Sequence, residues 1–168
     1  MNLQILLFVT IQCLDKSSRV FSSCLEIKQA LPESATGIYA VVDKFGFSYP
    51  VFCEMETFSG GWTLVASFHE NNIAGKCTNG DRWSSEQGNT AGHPNGDGNW
   101  ENRNTFGTLV AATSDDYKNK AYFEVNATDL MVLQVPNETP TSKFVSSSLF
   151  QYYTTNAFLQ QNGGTCIF

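Results

Sequence analysis

The stretch from His69 to about Lys120 constrains this chain more than any other. It is crowded with Asn, Gly, Asp and Ser and keeps neither a helical nor a strand period, although segments on both sides do. A run of this length without secondary structure is, within a compact domain, either functional or disordered. Trp83, Trp100, Phe106 and Tyr117 argue against disorder, because rings of that size need something to pack against. An ordered loop of this kind needs pins, and metal ions and disulfides are the usual ones.

The flanks read more regularly. Ser23-Cys-Leu-Glu26 fits a capping box, with the serine hydroxyl accepting from the amide at the third helical position and the glutamate reaching back. Cys24, Ile27 and Leu31 follow on one helical face, and Pro32 stops the helix. Gly37–Asp43 reads as a strand, Asp43–Gly46 as a turn, and Phe47–Met55 as a returning strand in which Pro50 demands an edge or a bulge. Trp62–Phe68 alternates, with Trp62, Leu64, Ala66 and Phe68 on one face. The spacing predicts an antiparallel meander behind a short helix. Beyond the long stretch, Tyr122–Val125 and Asp129–Val135 carry strand signals, and Ser146–Gln161 suits a helix loosely.

Composition narrows the function classes. Charged residues are only 15% of the 168 positions, and 16 acids face 10 bases for a net charge of −6. Without a basic block the chain is a poor nucleic-acid binder, since phosphate contacts need clustered Lys and Arg. The same lack argues against an anionic membrane surface. Met1–Leu14 is an apolar run of signal-peptide length, shorter than the about 20 residues that a membrane helix needs. It is expected to direct secretion and to be cleaved within Lys16–Ser23; the other reading is a buried terminal helix or strand. No other stretch qualifies as a transmembrane segment. Secretion removes Cys13 and leaves Cys24, Cys53, Cys77 and Cys166, which can pair in three ways. The sequons at Asn126 and Asn137 agree with an extracellular, glycosylated product.

Enzyme motifs are missing. The two histidines, His69 and His93, sit in no triad context, and no G-x-S-x-G occurs. No CxxC marks a zinc site, and His69-Glu70 begins an HExxH that Ile73 breaks. No pair of carboxylates is singled out for glycoside hydrolysis. Calcium suits the oxygen-rich loop better, since it takes about six to eight ligands from carboxylates, amides and carbonyls. An EF-hand on Asn95-x-Asp97-x-Asn99 fails, because Trp100 stands where glycine is required and Phe106 where glutamate is.

Several motifs together go beyond composition. Cys24-Leu-Glu-Ile27, Gly37-Ile-Tyr39, Val51-Phe-Cys-Glu-Met55 and Gly60-Gly-Trp-Thr-Leu-Val65 resemble the opening of a fibrinogen-related domain. Val65–Asn71, Gly75-Lys-Cys-Thr78, Gly80–Ser85, Gly96–Trp100, Asn104–Gly107 and Ala112–Tyr117 are similar to the intelectins, secreted calcium-dependent lectins of the X type. The resemblance runs from about Ser23 to Gln160. It implies an α+β fold: the start of a fibrinogen-like domain, with a short helix, antiparallel strands and long calcium-stabilised loops, incomplete in this chain. The expected organisation is a signal peptide and short linker over 1–22, a partial fibrinogen-like domain over 23–161 and a divergent tail over 162–168.

For function, the resemblance implies Ca2+-dependent binding of microbial glycans through exocyclic vicinal diols, with no enzymatic activity. The matching structural calcium ligands are His69, Glu70, Asn72, Gly75, Gly80, Asp81 and Asp116, some through backbone carbonyls. Asn72 stands where an aspartate is common, which makes that ligand neutral. A Cys24–Cys53 disulfide is also implied. In the family the diol-binding calcium and its aromatic walls lie in a C-terminal half that this chain lacks, as does the partner expected for Cys77. The chain therefore reads as a truncated or alternatively spliced product with impaired glycan binding and unassigned glycan-binding residues. The other reading is a secreted fibrinogen-like interaction module without lectin activity. The pairing of Cys77 and Cys166 and the oligomeric state stay open.

Overall fold

A computed structural model describes residues 19–68, 100 and 103–162. They form an α+β arrangement of short helices and three small antiparallel sheets. The first unit is continuous in sequence. Helix α1 (Cys24–Ala30) begins as its cap predicts, with the Ser23 hydroxyl accepting from the Glu26 amide. Glu26 reaches back one residue further than a capping box requires, accepting from the amide and hydroxyl of Ser22. Cys24 and Ile27 are buried, but Leu31 is 54% exposed. The helix ends at Ala30, and Leu31 at its C-cap has left helical geometry, so it no longer points with the other two.

Strands β1 (Gly37–Val42) and β2 (Ser48–Glu54) pair in unbroken register from Gly37 opposite Cys53 to Val42 opposite Ser48. The turn between them closes through the Gly46 amide donating to the Asp43 carbonyl, with Gly46 at φ +84° as such a turn requires. Strand β3 (Trp62–Thr63) covers the other side of β2 only at Cys53 and Glu54. Pro50 therefore faces an open edge with no bulge, where its missing N–H costs no ladder bond. This is the expected meander, and α1 packs on it through the Cys24 amide donating to the Thr63 hydroxyl.

Strand β2 is buried on both faces from Val51 to Glu54, and its alternation there divides the interior in two. Val51 and Cys53, with Met55 just beyond the strand, turn toward Cys24, Ile27 and Val41, with Phe21, Tyr39 and Tyr49 packed around them. Phe52 turns the other way, to Leu109, Ala112, Tyr117 and Phe144. Its ring lies 5.1 Å from that of Phe144. The second core is thus assembled from distant parts of the chain.

Three expectations are corrected. Trp62–Phe68 is not one strand. It splits into β3 and β4 (Ala66–Ser67), and β4 joins β5 (Tyr117–Lys118) in a separate sheet. The intervening Leu64 and Val65 carbonyls are taken by the side chain and backbone amides of Asn119, which draws the chain from one sheet to the next. Tyr122–Val125 is not a strand either. Helix α2 (Ala121–Glu124) occupies it, because the Asn119 side chain accepts from the Ala121 amide and turns the chain locally. Within 146–161, β7 (Phe150–Tyr153) pairs with β6 (Met131–Gln134), and only α3 (Phe158–Gln161) is helical. No helix among the described residues is long and apolar enough to cross a membrane.

Candidate functional site

The β4–β5 sheet stands at the root of the long aperiodic stretch. Its register sets Ala66 opposite Lys118 and Ser67 opposite Tyr117. Phe68 directly follows β4, and Asp116 directly precedes β5. Phe68 immediately precedes His69 and Glu70 in sequence. Of the seven residues proposed as calcium ligands, Asp116 alone is described; His69, Glu70, Asn72, Gly75, Gly80 and Asp81 lie outside the described residues, as do Cys77 and Cys166.

The Asp116 backbone is held from two sides. Its amide donates to the Asp115 carboxylate at 2.8 Å. Its carbonyl presses on Gly107, where an added Cβ would come within 2.1 Å of the oxygen. Gly107 also has φ +69°, a left-handed conformation that disfavours any side chain. Two adjacent carboxylates and a fixed carbonyl are hard oxygen donors of the kind calcium takes. Among the described residues, no group of three or more His, Cys, Asp or Glu comes together.

Aromatic side chains brace this root. Phe68 stacks on Trp100 with ring centroids 4.2 Å apart, so the chain before and after 69–99 meets there. Trp100 also meets Phe106 edge-on at 4.9 Å. Trp100, Phe106 and Tyr117 thus do find packing partners, whereas Trp83 lies outside the described residues. Phe106 and Lys118 exchange backbone hydrogen bonds at 3.1 and 2.9 Å. The Lys118 side chain is fully buried, and its ammonium lies over the rings of Phe123, Phe106 and Tyr122 at 4.9, 5.1 and 5.6 Å. Such cation–π contacts strengthen when water is excluded. Burial pushes the Tyr117 phenol above its ordinary pKa, while a hydrogen bond from the Asn119 amide works in the opposite direction.

Sequence reasoning passed over Lys118 and Asn119. The signal that could have found them is the density of rings around an otherwise polar segment, since a buried cation needs such a lining. Elsewhere, Cys24 and Cys53 form the disulfide that the resemblance implies, with Cα atoms 5.4 Å apart. Asn126 and Asn137 are both exposed. No family model matches the chain.

Proposed function

We propose that this chain is a calcium-dependent carbohydrate-binding module of the intelectin type, secreted, with a fibrinogen-like fold and with impaired binding of microbial glycans that carry exocyclic vicinal diols. The observation that carries the reading is the β4–β5 register, which pairs Ser67 with Tyr117 and so brings the chain leading into His69-Glu70 beside the chain that follows Asp116. That juxtaposition is what a shared calcium site between the two ends of the loop needs. The Cys24–Cys53 bridge supports the extracellular assignment, because such bonds persist in oxidising compartments. The exposed Asn126 and Asn137 would then carry glycans.

In this reading calcium supplies a hard Lewis-acidic centre for oxygen ligands, and the chain's part is to hold those ligands in place without chemical turnover. The test is retention of the full chain on a resin bearing vicinal diols. Weak retention in calcium, released by EDTA and lost in Asp116→Ala, is expected. Retention unaffected by EDTA, or none at all, overturns the reading.

One observation favours the second reading, a protein-interaction module. Leu149, Phe150, Tyr152 and Val132 leave a run of apolar side chains exposed along β6 and β7. Capture of a defined protein partner that persists with glycans removed and EDTA present would select it.

A further inference from the structure

A cleft between the β1–β2 turn, the 103–105 segment and α2 has a volume of about 430 Å³. That is within the range of small-ligand sites, about 300–1,000 Å³. Three cations line it, Lys44, Arg103 and Lys120, in a chain whose net charge is −6. Lys120 is engaged by the buried Asp43 carboxylate. Glu124 accepts from the Lys44 backbone amide at 3.3 Å. The side-chain charges of Lys44 and Arg103 have no carboxylate partner among the described residues.

The apolar lining is also unusual. Phe45 and Phe47 are 72% and 68% exposed, although each sits beside a fixed backbone: both amides donate to Asp43 Oδ1. The Lys44 and Lys120 ammonium groups lie 5.1 and 5.7 Å from the Phe45 and Phe47 ring centroids, and the exposed remainder of the two rings forms a platform for another flat, partly apolar surface. The Arg103 guanidinium lies over the Phe123 ring at 5.5 Å, a contact that uses the face of the group and not its N–H edge. A planar carboxylate fits that edge with two parallel hydrogen bonds.

We infer that this cleft is a calcium-independent subsite for a carboxylated sugar, with the carboxylate on Arg103 and Lys44 and the ring face on Phe45 and Phe47. The anion and the ring platform follow from the cleft; the sugar rests on the carbohydrate-binding reading above. The assignment differs from the diol site in needing no metal.

The experiment titrates the full chain with tri-galacturonate and, in parallel, its methyl ester, with EDTA present throughout. Saturable binding of the acid is expected, weakened about tenfold by the ester and by Arg103→Gln, the loss of one charge-assisted contact. Phe47→Ala should weaken it several-fold, and Lys143→Ala, an exposed lysine outside the cleft, should leave it unchanged. Arg103 and Phe47 are exposed, so their variants keep the parent melting temperature. No saturable binding, equal affinity for the ester, full retention in Phe47→Ala, or an equal loss in Lys143→Ala each overturns the proposal. Because EDTA is present, failure here is separate from failure of calcium-dependent retention on the diol resin.

Discussion

The Lys120 ammonium donates to Asp43 Oδ2 at 2.5 Å, joining two positions 77 residues apart. It clamps the β1–β2 turn to the segment that leads into α2. The carboxylate is almost sealed from solvent while the lysine is 41% exposed, so the bond is approached from one side only. The same carboxylate accepts from the amides of Phe45 and Phe47. One side chain therefore shapes the turn and fastens it to the rest of the molecule.

Asp43→Asn should lower thermal stability near neutral pH, since it keeps an acceptor for the turn amides but loses the ion pair. The hydrogen bond from Lys120 holds the Asp43 carboxyl below its ordinary value of 3.8, with burial acting the other way. A carboxyl whose folded pKa is depressed contributes its full stabilisation above the unfolded value and loses it as pH falls through the folded one. Melts of the parent should therefore weaken with acid below about pH 4 more steeply than those of Asp43→Asn. Parallel pH profiles for the two proteins would contradict this.

Removal of the Cys24–Cys53 bridge has a calculable cost. The bond closes a loop with a sequence separation of 29. Chain entropy then gives about 3–4 kcal/mol of stabilisation at 25 °C. The Cys24→Ser, Cys53→Ser double variant should lose about that much in urea unfolding. Because both sulfurs lie within the first core, a loss well under about 1 kcal/mol would mean that the reduced chain keeps much of that core when denatured.

Calcium should raise the melting temperature if the loop root holds it. Saturation to a hundredfold over the dissociation constant stabilises by about 2.7 kcal/mol. Asp116→Ala should abolish the difference between calcium and EDTA. Gly107→Ala should reduce it as well without substituting any proposed ligand, because the new methyl must displace the Asp116 carbonyl. The left-handed backbone alone adds about 1–2 kcal/mol of destabilisation to that variant. An unchanged calcium response in both variants would remove Asp116 from the site.

Lys118 offers a test of the ring lining. Lys118→Ala should cost about 2–5 kcal/mol, as truncation of a long buried side chain does. Lys118→Met should recover the packing of the stem but not the attraction to Phe106, Tyr122 and Phe123. Urea unfolding of the two variants separates these contributions; equal stabilities would show that the charge is what matters.

How much was legible depends on how local the forces are. Helix α1 and the β1–β2 hairpin were readable because Ser23, Pro32 and the Asp43–Gly46 turn mark their ends within a few residues. Segment 62–68 does not form one strand because its alternation is real, yet from the Leu64 carbonyl onward its hydrogen bonds go to partners fifty or more positions away, chiefly Asn119. The helical turn at Ala121 defied the strand signal in Tyr122, Phe123 and Val125 because one capping side chain outweighs a weak propensity. At the site, the resemblance singled out Asp116, whereas the pairing of its neighbour Tyr117 with Ser67 depends on strand register, which no local pattern encodes.

The division of the interior by β2 bears on how the protein is made. Every residue of the first core lies between Phe21 and Met55, and β3 ends at Thr63, so this core contains no side chain that is synthesised later. A ribosome carrying a stalled chain with residues 19–68 outside the exit tunnel should already present an oxidised Cys24–Cys53 pair. Phe52 would then wait, its outer face bare, until Leu109, Tyr117 and Phe144 emerge to cover it. That interval is when a chaperone has something to hold.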